Sequence, residues 1–450
     1  MGADRNWTGG VLRVLAAGAL LAPFALRGEQ SAPPTRTLAV GRSERDLSVK
    51  DFDDPAWEKA PAARELFQNE PQEGRPATLD TECRVIATPE ALLLRFVMEE
   101  PASELVAREL RRDADLSNDD RIAFVLDTYH DRRNAYFFAT NPNGVRADGL
   151  VTEEADPSFD WDTVWDVRVR RTARGWDALF KIPYTALNFP GGERGVWGFN
   201  FSRIMRRRTE TVRWTGWKRP FAVSKISLAG DLADLPLLPS RRLRSLTPFA
   251  AARLERLQNP SDTNFLPKAG LDFRYGISSS TEADLTANTD FAETEADTQQ
   301  FNFGRTSLLF PEKRLFFLQR SQVFQFGSDH TTFPFFSRTI GLKTNKEAIP
   351  IPIDAGFKLT GRLGRADFAA LAVQTRAASG EPRTDYFVAR GKLDLGHASY
   401  IGALATDIER AGPDPSRKDS RTYGADALVN LTPELNANGF YVRTDNPGVS

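Results

Sequence analysis

Hydrophobic and polar residues alternate along the C-terminal half of the chain. From Glu282 the sequence EADLTA sets Ala283, Leu285 and Ala287 on one face and Glu282, Asp284 and Thr286 on the other. That is the period of two of a β-strand with distinct sides. The pattern recurs for Leu271, Phe273, Tyr275 and Ile277 against Asp272, Arg274 and Gly276, and for Phe357, Leu359, Gly361 and Leu363 against Lys358, Thr360 and Arg362. It recurs again for Phe387, Ala389 and Leu393 against Arg390, Lys392 and Asp394, and for Tyr423, Ala425, Ala427 and Val429 against Gly424, Asp426 and Asn430. Turn residues such as Ser379-Gly380-Glu381-Pro382 and Leu431-Thr432-Pro433 separate the runs. Apolar faces backed by charge suit a wall between lipid and water, of roughly ten strands at the usual spacing. Phe273, Phe357, Leu359 and Tyr423 then face outward, and Arg274, Lys358, Arg362 and Asp426 face inward. A soluble sandwich or solenoid with the same alternation is the competing reading.

The N-terminal half reads differently. From about Leu38 to about Leu237, short apolar runs lie between turn signals: Cys83 to Ile86, Ala91 to Met98, Ile122 to Asp127, Ala135 to Asn141, Val164 to Arg171, Trp176 to Ile182, Val196 to Ile204 and Thr211 to Trp217. About eight strands with almost no helix argue for a β-sandwich; Leu105 to Arg112 reads as a helical turn or two. Leucine- and proline-rich Leu232 to Ser240, followed by Arg241, Arg242 and Arg244, is the expected linker into residues 238–450. Residues 1–30 combine Arg5 and Arg13 with apolar Val14 to Leu26, the form of a signal peptide; an uncleaved anchor is the alternative. The stretch from Phe310 to Leu342 breaks the alternation. An inward fold is expected there, because Glu312, Lys313 and Arg314 would be costly against lipid. The chain closes on turn residues, Asp445 to Ser450, which reads as an incomplete barrel.

A net charge of −1, from 59 basic and 60 acidic residues, gives no reason to expect nucleic acid. The single cysteine, Cys83, rules out an internal disulfide and reads as a small core residue. No H-E-x-x-H, C-x-x-C, G-x-S-x-G or phosphate-loop motif is present, and His130, His330 and His397 are far apart, so no catalytic residue is assigned. Two acidic clusters could hold calcium: Asp113, Asp115, Asp119 and Asp120, and Asp156, Asp160 and Asp162. Neither has the spacing of an EF-hand loop, and a solvated acidic loop is favoured over a metal. Arg206-Arg207-Arg208 with Arg213 reads as a basic run on a solvated strand face.

Longer motifs carry two resemblances. DDPAWEKAP at Asp53 to Pro61, DDRIAFVLDTYHDRRNAYFFATNPNGV at Asp119 to Val145, then WDTVWDVRV, GWDALFKIPYTALNF and WGFNFSRIMRR together resemble the family 9 carbohydrate-binding modules. Glu282 to Leu318, with PFFSRTIGL at Pro334 to Leu342, resembles a family of bacterial outer-membrane-type barrels of unknown function (domain of unknown function 5916). The first resemblance implies a sugar-chain end gripped between two tryptophans, for which Trp161, Trp165, Trp214 and Trp217 are the candidates; Trp57, Trp176 and Trp197 read as structural. The second implies a place in the outer membrane, with the sandwich periplasmic or at the cell surface. The expected fold is therefore all-β: a sandwich, then a partial outer-membrane-type antiparallel barrel. The expected partners are a polysaccharide or oligosaccharide and outer-membrane lipid, in support of carbohydrate catabolism or uptake. A channel with a non-binding sandwich is the alternative, and an O-glycosyl hydrolase a weaker one.

Overall fold

The computed structural model describes residues 36–190, 195–236, 244–256, 263–278, 280–288, 312, 314–327, 333–344, 348–412, 419–432 and 434–445. The expected leader at 1–30, the end of the linker at 237–243, Glu293, Glu295, Asp297, Lys313, His330 and the terminal 446–450 lie outside them. The described chain is all-β, and none of its α-helices exceeds four residues.

Two sheets pack face to face. The first runs Thr37–Ala39, Gly230–Ala233, Trp197–Met205, Arg121–Asp127, Ala135–Thr140, Ala147–Val151, with Glu210–Arg213 and then Phe67–Glu70 joined at Trp197–Met205. The second runs Asp166–Thr172, Gly175–Pro183, Ala91–Glu99, Thr81–Ala87, Gly41–Arg42, with Ala62–Ala63 joined at Thr81–Ala87. Aromatic rings lock them together: Phe124 of the first lies 5.0 Å from Phe180 of the second, and Phe201 lies 5.5 Å from Phe96. Cys83 is buried in the same core. Each sheet is also covered on its outer face. Leu116, Val223 and Ile226 cover Val125 and Phe137 of the first. Leu47, Phe52 and Trp57 cover Leu93 and Leu179 of the second. Burial on both faces is why RIAFVLD and AYFFAT read as continuous apolar runs rather than alternating ones. Leu232, read in the sequence as linker, is a core residue of the strand that pairs with Thr37–Ala39. The helical turn expected at Leu105 to Arg112 is absent. The carboxylates of Asp120 and Asp119 take the N–H groups of Val106, Arg108 and Glu109, donors that a helix would have needed for itself.

A third sheet holds nine antiparallel strands in the order Arg244–Arg256, Thr263–Gly276, Thr281–Ala287, Ile353–Leu363, Ala366–Thr375, Thr384–Gly396, Ser399–Arg410, Ser420–Thr432 and Leu435–Asp445. Among the described residues it is open: its first and last strands pair on one side only. Its polarity is inverted relative to a soluble sheet. Phe357, Phe387, Leu393, Ile401 and Tyr423 are exposed, whereas Lys358, Thr360, Arg390, Lys392 and Asp426 are buried. Phe273 and Leu359, and likewise Arg274 and Arg362, are half-buried.

The buried face of this sheet is charged and paired. Asp284 lies opposite Lys358 in register, 3.0 Å away. The Arg390 guanidinium meets the Asp426 carboxylate at 2.6 and 2.8 Å, both side chains fully buried. Gly402 makes room for that pair: a Cβ there would lie 2.6 Å from Arg390 Nη1 and 2.7 Å from Asp426 Oδ1. The described part of the 310–342 stretch packs on this face. Phe316, Phe317, Phe324 and Phe326 cluster with Leu371, Val373, Val388 and Leu404. The four-residue helix Leu315–Leu318 ends with carbonyls that have no intrahelical partner. Lys358 Nζ satisfies them, bonding to the carbonyl of Phe316 and, at 2.8 Å, to that of Gln319.

Candidate functional site

Three of the four candidate tryptophans are in the sandwich core. Trp165 stacks on Phe180 at 5.7 Å and 9°, Trp214 stacks on Phe201 at 5.8 Å and 18°, and Trp161 packs on Tyr136 at 5.2 Å. All three are buried, so none offers a ring face to a sugar. Inward-facing aromatic positions on both sheets surround Trp165 and Trp214, and Trp161 donates its indole N–H to Gln319 Oε1 at 3.4 Å. Trp217 differs. It is half-exposed, tilted 33° against Phe67 at 4.5 Å, with the Arg36 guanidinium 5.1 Å over Phe67 and 6.0 Å over Trp217.

The backbone beneath Trp217 is fixed. Asn69 Nδ2 donates to the carbonyls of Trp217 and Lys218 at 3.1 and 2.9 Å, and Arg213 Nη2 donates to Asn69 Oδ1 at 3.3 Å. Arg213 is therefore buried, not on a solvated face as expected. Arg206–Arg208 is a 3-10 turn whose Arg208 pairs with Glu104 at 2.7 Å. Around Trp217 stand Glu73, which accepts from the N–H of Arg219 at 2.9 Å, and Lys218, paired with Glu434 at 2.9 Å. An apolar aromatic face with a polar rim is the chemistry that receives a sugar ring.

The structure regroups the residues of the two acidic clusters. Asp119 and Asp120 hold backbone N–H groups, and Asp115 accepts from Ser117 at 2.7 Å. Instead Asp113 and Asp162 meet Asp148, with carboxylate oxygens within 4.8 Å of one another. Arg112 stands among them, paired with Asp113 at 3.0 Å, with Asp148 at 3.0 Å and with Asp162. Asp148 also accepts from the N–H of Thr163 at 2.9 Å. Burial pushes its carboxyl up to about 6, against the nearby Trp165 indole N–H, the Thr163 N–H and the charge of Arg112. Three carboxylates can hold a hard cation, but here a guanidinium already takes that role.

A second group of residues, without any local signal in the sequence, joins the sandwich to the nine-stranded sheet. The turn after Arg121–Asp127 is shaped by Asp127, whose carboxylate accepts from the N–H groups of Asp131 and Arg132 at 3.1 and 2.7 Å. Burial, reinforced by the neighbouring Asp131, raises the Asp127 carboxyl to about 8. The turn carries Tyr129, Asp131 and Arg133 to the sheet. Arg133 pairs with Glu153 at 3.1 Å and lies 4.7 Å over the Tyr400 ring. Lys392 reaches Glu153 at 2.8 Å, and Arg362 approaches Asp131 at 3.8 Å. Arg320 and Arg362 each lie 5.4 Å over Tyr129.

The domain of unknown function DUF5916 matches residues 239–352. No curated protein sequence matches the chain. Among solved structures, the chain is similar to a family 9 carbohydrate-binding module from Caldicellulosiruptor kristjanssonii in complex with cellotriose: 13% identity, TM-score 0.33, 44% of this chain and 93% of that one. The glucose complex of a family 9 module from the same organism gives 12% identity, TM-score 0.33, 45% of this chain and 96% of that one.

Proposed function

We propose that residues 244–445 are a wall of an outer-membrane β-barrel, with the sandwich carried on its inner, aqueous side. The observation that supports this is the inverted polarity of the nine-stranded sheet. Apolar side chains line the exposed face, and the covered one carries paired charges beside the patch of Leu371, Val373, Val388 and Leu404 that seats the phenylalanines. Strands of this length and alternation span a bilayer when tilted. The leader-like residues 1–30 agree with export. In lipid the free strand edges require pairing, since unsatisfied backbone groups are costly there. On this reading the protein works as a membrane-seated support or channel whose polar side is occupied by its own chain. The test is fractionation of cells expressing the full chain. The protein should resist carbonate extraction and migrate differently on gels before and after heating. Recovery in the soluble fraction would overturn the reading.

A second role rests on one observation, the half-exposed Trp217 beside Phe67 with its charged rim. We infer that this pair is where a saccharide stacks, in keeping with the motifs that resemble family 9 modules. Calorimetry with glucose and cello-oligosaccharides on the full chain tests it: binding should weaken on Trp217→Ala. Unchanged binding in that variant would discard the site.

A further inference from the structure

We propose that the sandwich is a displaceable plug on the inner face of the wall, latched by the charges of its Tyr129–Arg133 turn and Glu153. The proposal rests on the membrane reading above and adds a closed and an open state to it.

Three features carry it. First, the latch is polar. The sandwich contributes Tyr129, Asp131, Arg133 and Glu153; the wall side contributes Arg320, Arg362, Lys392 and Tyr400. None of the four hydrophobic clusters of the described residues draws members from both sides: three end by Leu235 and the fourth begins at Phe316. Two bodies joined by polar contacts, each with its own apolar core, are expected to move relative to one another. Second, the latch leaves groups wanting. Tyr129 Oη, Arg133 Nε and Nη2, and Arg320 Nε are buried with no hydrogen-bond partner among the described residues. Undocking hydrates them, which lowers its cost. Third, the wall keeps its own pairs without the sandwich. Arg390 with Asp426, Lys358 with Asp284 and Arg362 with Asp394 all lie within it. Removing the plug therefore leaves these three pairs intact, and Lys392 is the wall cation that loses its carboxylate partner.

Lys392 and Glu153 form the pivotal pair, because Lys392 also donates to the carbonyl of Gln322 at 3.4 Å and lies 4.7 Å over Tyr400. The experiment is solute flux through proteoliposomes containing the full chain, with trypsin added to report access to Arg132 and Arg133. Lys392→Glu sets two carboxylates against each other. The undocked fraction should rise roughly 150- to 5,000-fold, from the usual cost of breaking a buried pair. Flux and tryptic cleavage should rise together. The charge swap Lys392→Glu with Glu153→Lys should lower both relative to Lys392→Glu alone, short of wild type because a lysine at 153 faces Arg133, the other partner of Glu153. Glu153→Gln, which adds no charge to the wall, should give a smaller rise and covers the case in which Lys392→Glu fails to assemble. If variants insert normally but show wild-type flux and trypsin resistance, the plug is refuted while the membrane reading stands. If the wild type itself does not enter the bilayer, both fall.

Discussion

The stability of the sandwich should fall as pH rises from about 4 to about 7, and Asp148→Asn should remove its own part of that slope. Asp148 is fully buried, and its burial raises the folded carboxyl from the ordinary 3.8 to about 6. A raised folded value means that the protonated form is favoured in the fold. The contribution is complete below about 3.8 and is lost as pH climbs through about 6. Two pKa units at about 1.36 kcal/mol each give a loss of about 3 kcal/mol. Asp127 and Glu100, also raised by burial, act with the same sign, so the difference between wild type and variant isolates Asp148. Urea unfolding followed by tryptophan emission is the assay. The strands of the nine-stranded sheet contain no tryptophan, and the seven tryptophans other than Trp7 run from Trp57 to Trp217, so the signal reads the sandwich even in the full chain. The same titration with calcium adds a second arm. A cation displacing Arg112 from Asp113, Asp148 and Asp162 would keep Asp148 ionised and reverse its contribution to the slope. An identical slope in wild type and variant without calcium would refute the burial argument.

Other outcomes follow from single contacts. Arg203→Met strands the Glu100 carboxylate that it pairs with at 3.1 Å in the core, which should cost about 3–5 kcal/mol in urea unfolding; Glu100→Gln in the same chain should recover part. Trp214→Ala should destabilise the sandwich by about 3–5 kcal/mol through the cavity it leaves. Trp217→Ala should leave unfolding nearly unchanged and cost about 1–3 kcal/mol of saccharide binding, taking base-on-aromatic stacking as the nearest measure. Phe387→Arg on the exposed face should cost roughly 2–4 kcal/mol at mid-depth and reduce the heat-modifiable membrane fraction. Gly402→Val should disturb the same fraction by driving Arg390 from Asp426, whereas Gly439→Val, with open space around it, should not.

The nine-stranded sheet is the legible part of the sequence, because a strand with one apolar and one charged face writes its period directly into Phe357, Lys358, Leu359 and Thr360. The sandwich strands were legible as elements but not as faces: a sheet covered on both sides carries no alternation to read. That is also why the tryptophans could not be sorted. Trp214 and Trp217 are three residues apart in RWTGWKR, and only the packing of Phe201 under one and Phe67 beside the other separates core from surface. The acidic residues misled for a related reason. Asp113 and Asp162 sit in different runs, and the residue that unites them, Asp148, lies inside the apolar strand Ala147–Val151. Arg213 looked like part of a solvated basic run until its partners, Asn69 and the Phe221 carbonyl, came from elsewhere in the fold.

The sandwich closes on itself through a parallel pair: Thr37 meets Asp231, Leu38 meets Leu232 and Ala39 meets Ala233. The ribosome makes one member of that pair near the start of the sandwich and the other at its far end. Until residue 233 has emerged, the first strand has no neighbour on that side, and Leu38 and Trp197 lack the Leu232 side chain between them. The unit should therefore fold late in synthesis and all at once. Chains stopped before residue 233 should be open to proteases along their whole length, while those stopped just beyond it should show a protected fragment.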